Sequence, residues 1–286
     1  MRRNLWTVVL LCVLSVALSS CSVSKHSARP IRGMERLPEP EVLFPTLDSI
    51  INEAWQLYYS ERLNWIASDL VMEKYSIDQL GGTISWQPND SLWAVAFLDK
   101  ERKNCVLKYE YNTITKKVSL FDSVRPATEE ELLELERRTK IINGAVEKYG
   151  DQLLFADRSF GNPNIDIVRI NDTLTRLYFM QGTIINDVIP FGNDYSVDFD
   201  KDLNPIAFRQ YHNSLLAMRT RTEDGREVDM IKHSHLKDNP FITATDICNF
   251  ILYHPEGMNT FYVYSTAFKC TFAYSLELNK IMTILD

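Results

Sequence analysis

Short runs in which apolar and polar residues alternate recur along most of this chain, and they constrain its fold more than any other feature. Alternation with a period of two places one face of a β-strand against a core. The clearest runs cover residues 91–98, 105–111, 117–121, 153–156, 165–170, 175–180, 184–189, 195–199, 206–211, 228–235, 261–264, 270–276 and 281–285. The chain is therefore predicted to be rich in strands.

Helical spacing of apolar residues appears in three other segments. It predicts helices over residues 46–75, 128–149 and 243–253, the first of them ended by Gly81-Gly82. The combined pattern predicts an α+β fold, a mixed and curved β-sheet with the second and third helices packed on it.

Length and composition limit the function further. The chain has 286 residues, of which 45% are hydrophobic, which is enough for one large or two small domains. We expect a helix and β-meander region over residues 46–125 and a second unit over 126–286. The net charge is −7 without a basic cluster, so nucleic acid is not an expected partner. No phosphate-binding glycine loop, Gly-x-Ser-x-Gly turn or Cys-x-x-Cys pair occurs.

The N-terminus has the pattern of an export signal. Arg2 and Arg3 precede an apolar run over residues 5–18, which is short for a membrane span. The following Ser19-Ser20-Cys21 resembles a bacterial lipobox, which implies cleavage after residue 20 and acylation of Cys21. A plain signal peptide with an incidental cysteine is the alternative. We expect residues 21–45, which carry four prolines, to form a tether from the lipid bilayer to a domain in the cell envelope, facing the periplasm.

A histidine pair near the C-terminus is the strongest chemical signal. His233 and His235 lie at the end of a predicted strand, where residues i and i+2 point to the same face. Imidazoles at that spacing can bind one ion at about 2.0–2.1 Å from each nitrogen. Thr243 and Asp246 follow at the start of a predicted helix, and the Asp246 carboxylate could supply a third, oxygen ligand.

The string His-x-His, seven residues, Thr243, two residues, Asp246 resembles the motif of the JAMM (MPN-plus) zinc metallopeptidases. The resemblance implies a JAMM-like, cytidine-deaminase-like α/β domain in which His233, His235 and Asp246 hold zinc. It also implies that Thr243 assists at the oxyanion and that an amide or isopeptide bond is hydrolysed. The family's general-base glutamate has no counterpart here, because the matching place offers Asp151 and Gln152.

Each part of the motif also has a simpler interpretation. Thr243 and Asp246 fit a capping box, and the two histidines fit a half-exposed strand. His212 and His254 have no partner at ligand spacing and are interpreted as packing or surface residues. Three functions therefore stay open: a zinc-dependent peptide or isopeptide hydrolase, an inactive module of the same fold that binds a protein or peptide, and a structural envelope lipoprotein without metal.

Overall fold

The computed structural model describes residues 36–153 and 160–285 and confirms the α+β class. The three helices are α1 (Pro40–Met72), α2 (Glu129–Tyr149) and α3 (Ala244–Tyr253). The strands are β1 (Leu80–Asn89), β2 (Leu92–Asp99), β3 (Asn104–Asn112), β4 (Val118–Phe121), β5 (Arg125–Pro126), β6 (Pro163–Asn171), β7 (Leu174–Gln181), β8 (Val188–Gly192), β9 (Tyr195–Phe199), β10 (Pro205–Gln210), β11 (Leu215–Arg219), β12 (Lys232–His235), β13 (Thr260–Ser265), β14 (Cys270–Ser275) and β15 (Lys280–Leu285).

The described strands form four sheets rather than one. Their orders are β1-β2-β3-β4 with β5 beside β3, then β10-β9-β7-β6, then β11-β8, and finally β12-β13-β14-β15. Every described pair is antiparallel except β12 with β13, which run parallel with His233 beside Val263. The mixed character of the strand pairing is thus confined to the sheet that carries the histidine pair.

Helix α1 begins earlier than the sequence predicts, so the prediction of a tether over residues 40–45 is wrong. Pro40 occupies the first turn of the helix, where the missing N–H costs no hydrogen bond. The N-terminal half of α1 packs in one core with α3 and the last sheet, and its C-terminal half packs in a second core against β2 and β3. The predicted leader over residues 1–20, Cys21 and the tether up to residue 35 lie outside the described residues.

The predicted stop at Gly81-Gly82 is also wrong, because both glycines belong to β1. A Cβ atom on Gly81 would lie 2.3 Å from the carbonyl oxygen of Asp99, so the close approach of β1 and β2 requires glycine there.

Three predicted strands differ from the structure, and three observed strands were missed. The strand expected over 184–189 is Val188–Gly192, since Asp187 takes a left-handed turn conformation with φ 57°. The strand expected over 228–235 is Lys232–His235. Of the strand expected over 153–156, Leu153 is not extended in a sheet and the rest lies outside the described residues. Strands β1, β5 and β11 were not predicted.

Helix α3 lies at the centre of the largest core. Its first eight residues, from Ala244 to Ile251, are all buried, and the helix packs against α1 and β8. No described helix is both long enough and apolar enough to span a bilayer. Because α3 begins beside the end of β12, its first turn faces the histidine pair.

Candidate metal centre

The two histidines of β12 point into the core together. The side chains of Lys232 and Ser234 are exposed, whereas His233 and His235 are 5% and 2% exposed. Their Nε2 atoms lie 3.1 Å apart. The ring of Phe191 packs against His233 with centroids 4.8 Å apart. The prediction that His233 and His235 point to the same face of the strand is confirmed, and the structure shows that this face is buried.

A third histidine, His212, joins this pair, so its interpretation as a packing or surface residue is wrong. It follows β10 and is 7% exposed. Its Nε2 atom lies 2.8 Å from Nε2 of His235. No fixed spacing links His212 to the motif, because the fold rather than the local sequence brings the segment after β10 next to β12.

Asp246 contributes to both the helix cap and the histidine cluster. Its Oδ2 atom accepts hydrogen bonds from the backbone N–H of Thr243 at 3.0 Å and from the Thr243 hydroxyl at 2.8 Å. Its Oδ1 atom has no hydrogen-bond partner among the described residues and lies 3.3 Å and 3.4 Å from Nε2 of His233 and His212. Oδ2 also lies 3.1 Å from Nε2 of His235, so Asp246 caps the helix through Oδ2 and still presents Oδ1 to the other two imidazoles.

Two acceptors outside the cluster orient the imidazoles. Nδ1 of His212 lies 2.7 Å from Oδ1 of Asp194, and Nδ1 of His235 lies 2.5 Å from the carbonyl oxygen of Phe241. A carboxylate and a carbonyl can only accept, so both Nδ1 atoms carry hydrogen. In neutral imidazoles the Nε2 atoms of His212 and His235 then present lone pairs to each other, so the contact needs either a proton on one Nε2 atom or a metal ion between the two.

The carboxylates and imidazoles of the cluster shift the pKa of His212 and that of Asp246 toward the charged forms. Burial disfavours a charge on His212, but the carboxylates of Asp194 and Asp246 raise its pKa to about 9. Burial likewise opposes ionisation of Asp246, yet the neighbouring His233, His212 and His235 hold the pKa of that carboxyl well below its usual range. The site thus favours an ionised carboxylate beside positive charge.

The donor set fits a metal ion. One ligand atom from each of His212, His233, His235 and Asp246 lies within 4.8 Å of the other three. Ligand atoms about 2.0–2.2 Å from a tetrahedral ion lie about 3.3–3.6 Å apart. Oδ1 of Asp246 lies 3.3 Å and 3.4 Å from Nε2 of His233 and His212, and the Nε2 atom of His235 is closer to the other two nitrogens, at 3.1 Å and 2.8 Å. Three imidazoles and one carboxylate are ligands that zinc accepts. The four side chains could therefore hold a metal ion.

The other predicted site residues take different positions. Thr243 caps α3, and its hydroxyl is bonded to Asp246. Asp151 and Gln152 are exposed on the 3₁₀ turn Gly150–Gln152 and do not join the cluster. His254 is half-buried, with Nδ1 2.9 Å from the carbonyl oxygen of Pro255. Sequence reasoning also missed Asp194. It follows Gly192 and Asn193, which are typical turn residues, so it was interpreted as part of a turn.

Comparisons with known proteins assign no family to this chain. Neither the models of protein families, nor the curated proteins, nor the solved structures contain a match to the chain.

Proposed function

We propose that this chain is a lipid-anchored envelope protein that holds one zinc ion in a closed, structural site. The observation that carries the proposal is the convergence of three imidazole nitrogens and one unpartnered carboxylate oxygen inside a core. Four protein donors complete a tetrahedral shell and leave no position for water, as in structural rather than catalytic zinc sites. This favours a non-catalytic module over a hydrolase.

Zinc in this site would connect segments that are distant in the sequence. His212 follows β10, His233 and His235 lie on β12, and Asp246 begins α3. When bound, the ion supplies a cross-link whose binding free energy adds to the free energy of folding. The region that carries these segments is then expected to fold stably only with metal.

Metal analysis of the purified full-length chain tests the proposal. We expect about one zinc per chain, loss of most of it in His233→Ala and Asp246→Asn, and a lower melting temperature after chelation. His254→Ala is the matched control, because His254 lies outside the cluster, and it should keep its zinc. Far less than one metal ion per chain, together with a melting temperature that chelation does not change, would contradict the proposal.

A zinc-dependent hydrolase is the second candidate, because the three ligands of the JAMM-like pattern meet in one place. In such an enzyme water takes the fourth position, which His212 fills here. His212→Ala should then open a position for water on the metal and allow peptide hydrolysis. The double variant His212→Ala/His235→Ala also loses a metal ligand and should show no hydrolysis. If neither wild type nor His212→Ala cleaves a peptide library above the double variant, the hydrolase candidate fails and the structural site stands.

The lipid anchor depends on Cys21, which lies outside the described residues. Its support is the arrangement of Arg2, Arg3, the apolar run and Ser19-Ser20-Cys21. Cys21→Ser should move the chain from the membrane fraction to the soluble fraction of a bacterial host, whereas Ser22→Ala should leave it with the membranes. Equal distribution of the two variants would refute acylation at Cys21.

A further inference from the structure

A cleft of about 1550 Å³ opens between two strands that each form the edge of a sheet. Among the described strands, β1 pairs only with β2, and β6 pairs only with β7. Helix α1 lines one wall of the cleft and α2 contributes to the lining. None of the four metal-site residues lines it, so the cleft is separate from the candidate metal centre.

The backbone of β6 offers free hydrogen-bonding groups to this cleft. Nη2 of Arg138 donates to the carbonyl oxygen of Ile165 at 2.9 Å, which indicates that this carbonyl faces the edge of β6 away from β7 and is already bonded there. Alternate residues of a strand direct their N–H and C=O groups to the same side, so those of Ile167 and Arg169 also face this edge. No group in the described part of the chain bonds to them there. An edge of this kind is a template for a further strand.

The α1 wall combines aromatic rings with negative charge. Trp55 and Tyr59 are half-buried, one helical turn apart, with ring centroids at 5.7 Å. Asp48 on α1 and Asp90 after β1 line the cleft, are exposed, and form no salt bridge with a described residue. Aromatic faces beside carboxylates attract ammonium and guanidinium groups.

The other charged residues that line the cleft do not cancel the negative charge of Asp48 and Asp90. Most of them are compensated by an ion-pair partner: Arg137 with Glu134, Arg169 with Asp172, Glu53 with Arg176, and Lys201 with Asp202. Arg138 lies beside the acidic side chains of Asp166 and Glu61, and Asp200 bonds only to neighbouring backbone groups and Asn204. The charge left without a counter-ion is negative.

We propose that the cleft between β1 and β6 binds an extended, basic peptide segment of a partner protein, which adds to β6 as a strand. Backbone bonds to Ile167 and Arg169 supply affinity that does not depend on the peptide sequence. Every second side chain of the peptide faces the α1 wall, where lysine or arginine lies over Trp55 and Tyr59 and beside Asp48.

Binding of a synthetic peptide of alternating lysine and valine to the full-length chain tests this proposal. Fluorescence anisotropy should show binding that salt weakens, and a glutamate-valine peptide should not bind. Asp48→Asn/Asp90→Asn should reduce the affinity by about fivefold. Asp69→Asn/Glu73→Gln makes the same charge change at exposed positions in the last turn and the C-cap of α1, outside the cleft, and should leave the affinity unchanged. Equal affinity for the two peptides, or an equal effect of the two double variants, overturns the proposal.

Hydrogen exchange locates the bound peptide. The amides of Ile167 and Arg169 should exchange rapidly in the free chain and become protected when the lysine-valine peptide binds. Binding without protection of these two amides overturns the assignment to β6. Residues 22–35 include Lys25, Arg29 and Arg32. Protection that is already present in the free chain and disappears when residues 22–35 are deleted would make that segment the occupant, and the partner peptide would be excluded.

Discussion

The Asp194 carboxylate lies 2.7 Å from Nδ1 of His212, and this contact directs Nε2 of His212 toward the other two histidines. Asp194 is 1% exposed, and its second oxygen accepts a hydrogen bond from the hydroxyl of Thr245 in α3. A carboxylate that orients a metal-binding imidazole also makes it a stronger ligand. Asp194 therefore acts on the proposed metal through His212, as a positioning residue.

Asp194→Asn should weaken zinc binding by about 10- to 100-fold, because a neutral amide polarises the Nδ1–H of His212 less than a carboxylate does and leaves Nε2 a weaker donor to the metal. Competition with a chromophoric chelator measures the affinity. Asp202→Asn removes an exposed carboxylate beside Lys201 and should leave the affinity unchanged. Asp194→Asn with wild-type affinity would show that the carboxylate only supports the fold.

Thr243→Ala should lower both the stability and the zinc affinity. Loss of the N-cap costs about 1 kcal/mol in the free energy of unfolding. Loss of the hydroxyl that donates to Oδ2 of Asp246 should also weaken zinc binding by about tenfold. Thr128→Ala removes the equivalent cap of α2, whose capping box has the same pattern with Glu131. Urea unfolding should give similar losses for the two variants, whereas only Thr243→Ala should change the zinc affinity.

The ligands that the sequence predicts are those that local structure brings together. His233 and His235 meet because residues two apart in a strand share a face, and Asp246 lies in the first turn of a helix whose cap is visible in the sequence. His212 and Asp194 belong to the site only because β9 and β10 place their neighbouring segments against β12 and α3. No local pattern encodes such tertiary contacts, so neither residue could be found in this way.

The same distinction holds for the fold. Strand β9 was predicted at its observed bounds, Tyr195–Phe199, because its alternation is flanked by turn residues on both sides. The division of the strands into four sheets and the parallel pairing of β12 with β13 depend on which strands meet, and alternation contains no such information. The start of α1 was misplaced because proline both interrupts helices and begins them.

Gly192→Ala should lower the free energy of unfolding more than Gly225→Ala does, although both glycines have a left-handed backbone conformation. Gly192 ends β8 with φ +81°, and a Cβ atom there would lie 2.2 Å from the carbonyl oxygen of Ser214 and 3.2 Å from Cβ of His212. Gly225 has φ +83° with no heavy atom within 4 Å of its Cβ position. We expect Gly225→Ala to lose about 1 kcal/mol from backbone strain alone and Gly192→Ala to lose at least about 2 kcal/mol. Equal losses in urea unfolding would show that β8 and the chain before β11 can separate without cost.

A second buried group of charges lies where α1 meets β6, away from the metal ligands. Glu61 on α1 and Asp166 on β6 are 6% and 1% exposed, and Nδ2 of Asn164 donates to Glu61 at 2.7 Å. Burial, followed by the negative charge of Asp166, raises the pKa of Glu61 well above its usual value, and Arg138 opposes this only in part. The folded chain therefore keeps a proton on Glu61 at pH values where the unfolded chain releases it.

This proton makes stability depend on pH with a definite sign. Stability from Glu61 is fully present below the pKa of the unfolded chain, about 4.3, and is lost as the pH rises through the raised pKa of the folded chain. Glu61→Gln keeps a neutral side chain at every pH, so its melting temperature should exceed that of the wild type at pH 8 and approach it at pH 5. Glu136→Gln, at an exposed position of α2, should follow the wild-type curve. A Glu61→Gln curve parallel to that of the wild type across this range would mean that Glu61 is ionised in the folded chain.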